Sequence, residues 1–418
     1  MSKFSTPWFY GWNIVGTGMT FQAVLFGMIL FSFTMWAPEW AEEFDTPLSE
    51  VMLIIIVLNL LMGLVSPFAG RAMDHMSIRA LVCSGVLCAS LGFALISQAT
   101  AAWQIMVVYG TFINVGIVLA GPLAAQTLCA KWFRARRGFA IGLSTTGTSI
   151  GGFLFPPLVT FLFLTYGWRS AHLILALVMV VAIIPLVWTV VRNTPEEKGV
   201  EPEEDVKAHA TDAEPFVFPE WTTKTILRER NFWAMILAFI PMMIAFGGIQ
   251  QNLKPIASNL GIGTQDASYL VSIMAMTMIG GKLFFARQAD YWDHRYLFWI
   301  AMVILAFSIG LMLTRPDYTL LAVTSGLLGV AAGAFLPLLG AIISSRFGPD
   351  AFGRVMGLLG PFMMASAIGP YIPAAIYDST GSYNVALTLF LIITIPAAIA
   401  MSFLKPIPGL GKDENQPT

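Results

Sequence analysis

The sequence predicts an all-α polytopic membrane protein with twelve transmembrane helices in two pseudo-twofold-related six-helix bundles. Three observations predict it. Of 418 residues, 57% are hydrophobic and only 11% are charged, whereas a soluble domain carries charge on about a quarter of its residues. Apolar runs recur along nearly the whole chain, each of about 20 residues and so long enough to cross a ~30 Å hydrocarbon core. Finally, the two halves of the chain repeat each other at an offset of about 216 residues.

The expected spans, each within about three residues, are 11–37, 49–70, 80–99, 104–130, 139–165, 170–191, 232–253, 266–287, 296–314, 319–343, 354–377 and 385–404. The first run is too long for a signal-peptide core and has no convincing cleavage site, so it reads as the first span. Between the sixth and seventh spans lies the only long polar segment, with Glu196, Glu197, Glu201, Glu203, Glu204 and Asp205. Few apolar residues interrupt it, which is the composition of a solvated linker. The chain therefore divides into an N-terminal bundle (1–191), a linker (192–230) and a C-terminal bundle with a short tail (231–418). Phe216, Phe218 and Trp221 at the end of the linker suggest contact with the membrane surface.

Lysine and arginine in short loops set orientation. One face holds Arg71, Arg79, Lys131, Arg134, Arg136, Arg137, Arg287, Arg295, Arg346 and Arg354. The other holds only Arg169, Lys254 and Arg315, with Glu39, Glu42, Glu43 and Asp45 in its first loop. Both termini and the linker are thus expected on the cytoplasmic side.

The repeat is visible in particular residues. Gly70-Arg71-Ala72-Met73-Asp74 followed by Arg79 recurs as Ala286-Arg287-Gln288-Ala289-Asp290 followed by Arg295. Pro38 matches Pro255, Gly142-Leu143 matches Gly357-Leu358, and Ile150-Gly151 before Pro156 matches Ile368-Gly369 before Pro373. Two parallel six-helix repeats imply an axis along the membrane normal and a binding site at midplane between them.

Within these spans, Lys282 is the only charged residue placed well inside. A charge at a helix centre costs roughly 2.5–3.5 kcal/mol on insertion scales and marks a functional site. Its position five residues from Arg287 would also let its stem reach the headgroups. Gly280 and Gly281 beside it argue against that, because small residues mark a face packed on other helices. Uncharged polar groups inside the spans are candidate cavity lining. Asn114, Gln250, Gln251 and Tyr371 are the main candidates, with Gln22, Asn59, Tyr109, Thr145, Thr148, Asn252 and Ser366 behind them. Gln250, Gln251 and Asn252 lie near the outer end of the seventh span and suit an outer gate equally well. Phe26, Phe31 and Phe335 suit an apolar wall. Asp74 and Asp290 suit the starts of the following helices, and Arg79 and Arg295 can pair with them or with neighbouring helix ends. Such pairs would form a gate that closes the cytoplasmic side in one state and breaks in the other. Gly142, Gly147, Gly151, Gly152, Gly357, Gly360 and Gly369 read as packing and bending positions.

The same residues exclude other classes. Cys83, Cys88 and Cys129 all fall in apolar spans, so no disulfide framework or metal site is indicated. His75, His172, His209 and His294 are scattered near span ends or in loops, which argues against an intramembrane enzyme. No cofactor is expected.

The loop pattern Gly70-x-x-x-Asp74-x-x-x-x-Arg79, with its second copy at Asp290 and Arg295, resembles the signature of the major facilitator superfamily. Tyr10-Gly11-Trp12-Asn13-Ile14-Val15, Trp132-Phe133-Arg134-Ala135-Arg136-Arg137-Gly138 and Tyr166-Gly167-Trp168-Arg169 are similar to the monocarboxylate-porter branch and its oxalate/formate-exchanger relatives. That resemblance implies the major facilitator fold and transport of a small organic anion such as lactate or pyruvate by alternating access. The branch carries a carboxylate-binding arginine eight residues before the acidic position of the second loop signature, and that position here is Lys282. Lysine is a compact point charge where arginine is a planar fork. The acidic residue that animal members carry one turn earlier is Met278 here, and their first-span lysine is absent. Proton coupling, if present, would therefore run through Lys282 itself, and exchange of one anion for another fits nearly as well. The expected partners are the organic anion, protons if uptake is coupled to them, and the lipid bilayer. A monomer in a bacterial inner membrane, with no nucleic acid bound, is the expected form.

Overall fold

The computed structural model describes residues 8–133, 136–200, 221–289, 291–348 and 351–405. Its architecture follows from the solvent: in lipid every backbone N–H and C=O must be satisfied within its own segment, so apolar runs become helices. Among the described residues, eleven helices are long and apolar enough to cross a membrane. The first four are α1 (Gly11–Glu43), α2 (Leu48–His75), α3 (Ile78–Ile96) and α4 (Ala102–Trp132). The next, Arg137–Val190, is 54 residues long, about 81 Å at helical rise and far longer than one crossing. It reverses at Gly167, where φ is 78°, a conformation glycine adopts without the penalty a Cβ would bring. It supplies both α5 (137–166) and α6 (168–190), so the eleven helices make twelve spans. The second half comprises α7 (Arg230–Gln251), α8 (Thr264–Gln288), α9 (His294–Met312), α10 (Tyr318–Phe347), α11 (Phe352–Thr380) and α12 (Asn384–Ser402).

One boundary differs from expectation. Glu39, Glu42 and Glu43, assigned to the first loop, continue α1, and Pro38 sits inside the helix without ending it. The cause is an aromatic face that runs on past the proline. Trp36 and Trp40 lie one turn apart, both fully buried, and pack on His172 of α6 with ring centroids at 4.1 and 5.7 Å. Trp40 and Phe33 also meet Tyr109 of α4 edge-on. This cluster forms the core of the first bundle at the end far from the termini.

Close helix pairs use small residues. Gly147 and Gly151 of α5 lie against the backbone of α1 at Met19 and Ala23, and Gly329 and Gly333 of α10 lie against the backbone of α8 at Met274 and Gly281. A Cβ at any of these four would strike main-chain atoms. Gly142, Gly357 and Gly360, expected to pack in the same way, face open space instead.

The bundles meet along α2–α11 and α5–α8, and direct polar contacts pin the seam on the side opposite the termini. Lys254, just beyond α7, is only 3% exposed and stands 2.6 Å from Glu39 of α1. Its ammonium also donates to the Met35 carbonyl at 3.0 Å, and its backbone N–H to Thr34 Oγ1 at 3.1 Å. Gln251 Nε2 donates to the Leu30 carbonyl at 3.2 Å, and the Ser49 N–H to Asp378 at 2.9 Å. Residues 201–220, including Phe216 and Phe218, lie outside the described residues. Trp221 docks on the second bundle, its ring 4.9 Å from that of Phe347 and its carbonyl bonded by Arg354.

Candidate functional site: a cavity between the bundles

Beneath the sealed seam is a cavity of about 520 Å³ lined by both bundles. The helices around it are irregular at that depth. In α1, Gly27–Phe31 is a π-helical turn, and Phe26, Leu30 and Phe31 reach the cavity. In α11, Met364–Ile368 tightens to a 3₁₀ turn after Pro361, and α10 breaks regular helix at Ala334. Such irregularities aim side chains and loosen the helix at functional sites.

Lys282 lines this cavity. Its close approach to α10 is permitted by Gly333, which lies directly on the Lys282 backbone. The ammonium points across the interface: Nζ donates to Ser149 Oγ at 2.9 Å and to Thr148 Oγ1 at 3.3 Å, both on α5 of the other bundle. It does not extend along the helix toward Arg287, so the headgroup alternative is set aside. Among the described residues Lys282 makes no salt bridge, and Met278, one turn earlier, lines the same cavity with a thioether. The arrangement is a single positive charge held by neutral hydroxyls, a geometry that can accept an anion.

The other expected residues separate into two groups. Gln250, Gln251 and, behind them, Asn59, Thr148 and Ser366 line the cavity, as do Phe26, Phe31 and Phe335. Gln251 does this while also bonding α1 across the seam, so the gate and the lining share a residue. Asn114 does not line the cavity. It is fully buried, and its Nδ2 donates to the Leu58 carbonyl of α2 at 3.0 Å, which makes it a bridge between helices of one bundle. Tyr371 follows Pro370, a lining residue, but is not part of the lining itself.

At the termini face, the two signature arginines are engaged within their own bundles. Ser77 caps α3, not Asp74, and Asp293 caps α9; Asp290 lies outside the described residues. Arg79 stacks over Trp188 of α6 at 5.1 Å. Arg295 pairs with Asp293 at 2.7 Å. Burial acts to raise the Asp293 carboxyl, but hydrogen bonds from Arg295 and the charges of Arg295 and Arg346 hold it below its ordinary range.

Sequence reasoning missed Ser149, Asp293 and the Lys254–Glu39 pair. The last had a signal: Glu39 follows Pro38 and Lys254 precedes Pro255, the two prolines that the repeat brings to equivalent helix ends.

The profile of the Major Facilitator Superfamily matches residues 18–254 and 251–418. The chain belongs to the major facilitator superfamily. Similar sequences place this facilitator near one branch of it. Human monocarboxylate transporter 12 is 25% identical over 433 residues, covering 97% of this chain and 83% of that one. Human monocarboxylate transporter 2 is 22% identical, with 90% and 81% covered. An uncharacterized MFS-type transporter of Bacillus subtilis, YcxA, is 22% identical, with 93% and 92% covered. Among solved structures, a bacterial homolog of the human lysosomal transporter Spinster, in an inward-facing and occupied conformation, matches with a TM-score of 0.66 at 12% identity. That match covers 96% of this chain and 95% of the other, and it carries the fold alone. The facilitator is a transporter related to the monocarboxylate transporters, and not an enzyme.

Proposed function

We propose that this facilitator carries a small organic monocarboxylate across a bacterial inner membrane by alternating access, with its termini and linker cytoplasmic. The rocking bodies are the bundles 1–191 and 231–418. Lys282 is the counter-ion of the substrate carboxylate, Gln250 and Gln251 supply amide donors, and Asn114 and Tyr371 drop out of the binding set. The observation that carries this reading is the Lys282 ammonium, placed in the cavity with, among the described residues, only hydroxyl partners, both on the opposing bundle.

The physical sequence is an exchange of partners. A carboxylate arriving at Nζ offers a charge-assisted bond, roughly twice as strong as a bond between neutral groups, and displaces Ser149 and Thr148. Displacement removes a tie between α5 and α8 and frees the bundles to rock. A second reading, exchange of one anion for another, is favoured by the lack, among the described residues, of any carboxylate side chain in the cavity lining. A permanently charged Lys282 would then need an anion on each crossing.

Uptake into proteoliposomes tests the reading. Lys282→Gln should abolish uptake of labelled carboxylate and Lys282→Arg should retain part of it. Normal uptake by the glutamine variant would remove the mechanism. Counterflow with and without a pH gradient separates symport from exchange.

A further inference from the structure

Given that Lys282 holds a carboxylate, the rest of the cavity specifies what the carboxylate is attached to. We propose that the preferred substrate is a monocarboxylate with a bulky apolar body, aromatic or branched, of roughly six to ten carbons, rather than a three-carbon acid.

Four features carry this. The cavity, at about 520 Å³, falls in the range that encloses drug-sized ligands, and a lactate-sized occupant would leave most of its wall wet. That wall is apolar and adaptable: six methionines and four phenylalanines line it, Met242, Met243, Phe246 and Phe335 among them. Methionine thioethers reshape around irregular apolar bodies at little cost. Charge is confined to one point, since Lys282 is the only charged residue of the lining among the described residues. Phe31 lies against Gly152, one helical turn along α5 from the Ser149 that holds the ammonium. The apolar wall therefore begins within a turn of the charge, and head and body have separate places. Finally, Gly247 and Gly360 line the cavity with nothing within 4 Å of where a Cβ would stand, so the space above them is open.

Each methylene that moves from water into such a wall is worth about fourfold in affinity, so the preference should climb along a series of acids. The test measures binding to the purified full-length protein by tryptophan fluorescence and thermal shift. The ligands are lactate, pyruvate, 4-methylpentanoate, 3-phenylpropionate and the neutral 3-phenylpropionamide. The two bulky acids should bind about tenfold or more tighter than lactate, and the amide about tenfold weaker than its acid. Gly247→Leu and Gly360→Leu, which fill the open space, should cut the preference for bulky over short acids about fivefold, with melting curves reporting whether each variant is folded. If lactate and pyruvate bind as tightly as the bulky acids, the size inference is overturned while the carboxylate reading stands. If no acid binds, or the amide binds as well as its acid, the carboxylate reading itself fails and takes this inference with it.

Discussion

Ser149 competes with the substrate for the same ammonium, and this sets what its removal should do. Ser149→Ala takes away the shorter of the two Nζ bonds, leaving a partly buried ammonium less satisfied in the empty protein. A hydrogen bond of this kind is worth about 1 kcal/mol net, so anion affinity should rise roughly fivefold in equilibrium binding. A fall in affinity would mean that Ser149 holds the anion together with Lys282. Asn114 makes the opposite case. The amide sits between α4 and α2, so Asn114→Ala should lower thermal stability by about 1 kcal/mol and leave the KM for uptake unchanged. A raised KM with a normal melting curve would return Asn114 to the site. The sequence could not separate these residues, because an amide in an apolar helix looks the same whether it faces a cavity or a neighbouring backbone. Lys282 was legible for the opposite reason: a charge in hydrocarbon has few places to go.

At the scale of elements, α1 and the short helix Leu253–Asn259 form the seal on the face opposite the termini. Lys254 is buried and Glu39 is about one-third exposed, its side chain at 32%. Glu39→Gln removes the counter-charge but leaves the backbone contacts of Lys254 in place, so the closed seal should weaken by on the order of 1 kcal/mol after screening is allowed for. A cysteine at Leu30, under the seal, should then label faster with an impermeant thiol reagent added on that side. An unchanged rate would show that the backbone contacts alone hold the seal. Helix existence was legible throughout, since length and hydropathy decide it. The π-helical turns at Gly27–Phe31 and Tyr109–Ile113 were not, because no proline or charge marks them and packing against neighbours sets them.

For the molecule as a whole, the sealed seam and the cavity beneath it define which side has access. A cysteine at Ser66, in a chain with Cys83, Cys88 and Cys129 replaced, should be labelled from the side of the termini and protected by substrate. Labelling only from the opposite side would reverse the assignment of the seal. The two-bundle plan was legible because repetition is a property of sequence. The contacts that join the bundles were not, since they link residues 133 positions apart at Lys282–Ser149 and 215 apart at Lys254–Glu39, and no local pattern encodes them. One connection has a mechanical meaning of its own. Only Gly167 separates α5 from α6, so the two share a one-residue elbow across which a tilt of one is passed to the other. Through α5 that elbow is held by Lys282, and through Trp188 of α6 it carries Arg79. A ligand that loosens the lysine would thus tug, through a single glycine, on the loop at the far end of the same bundle.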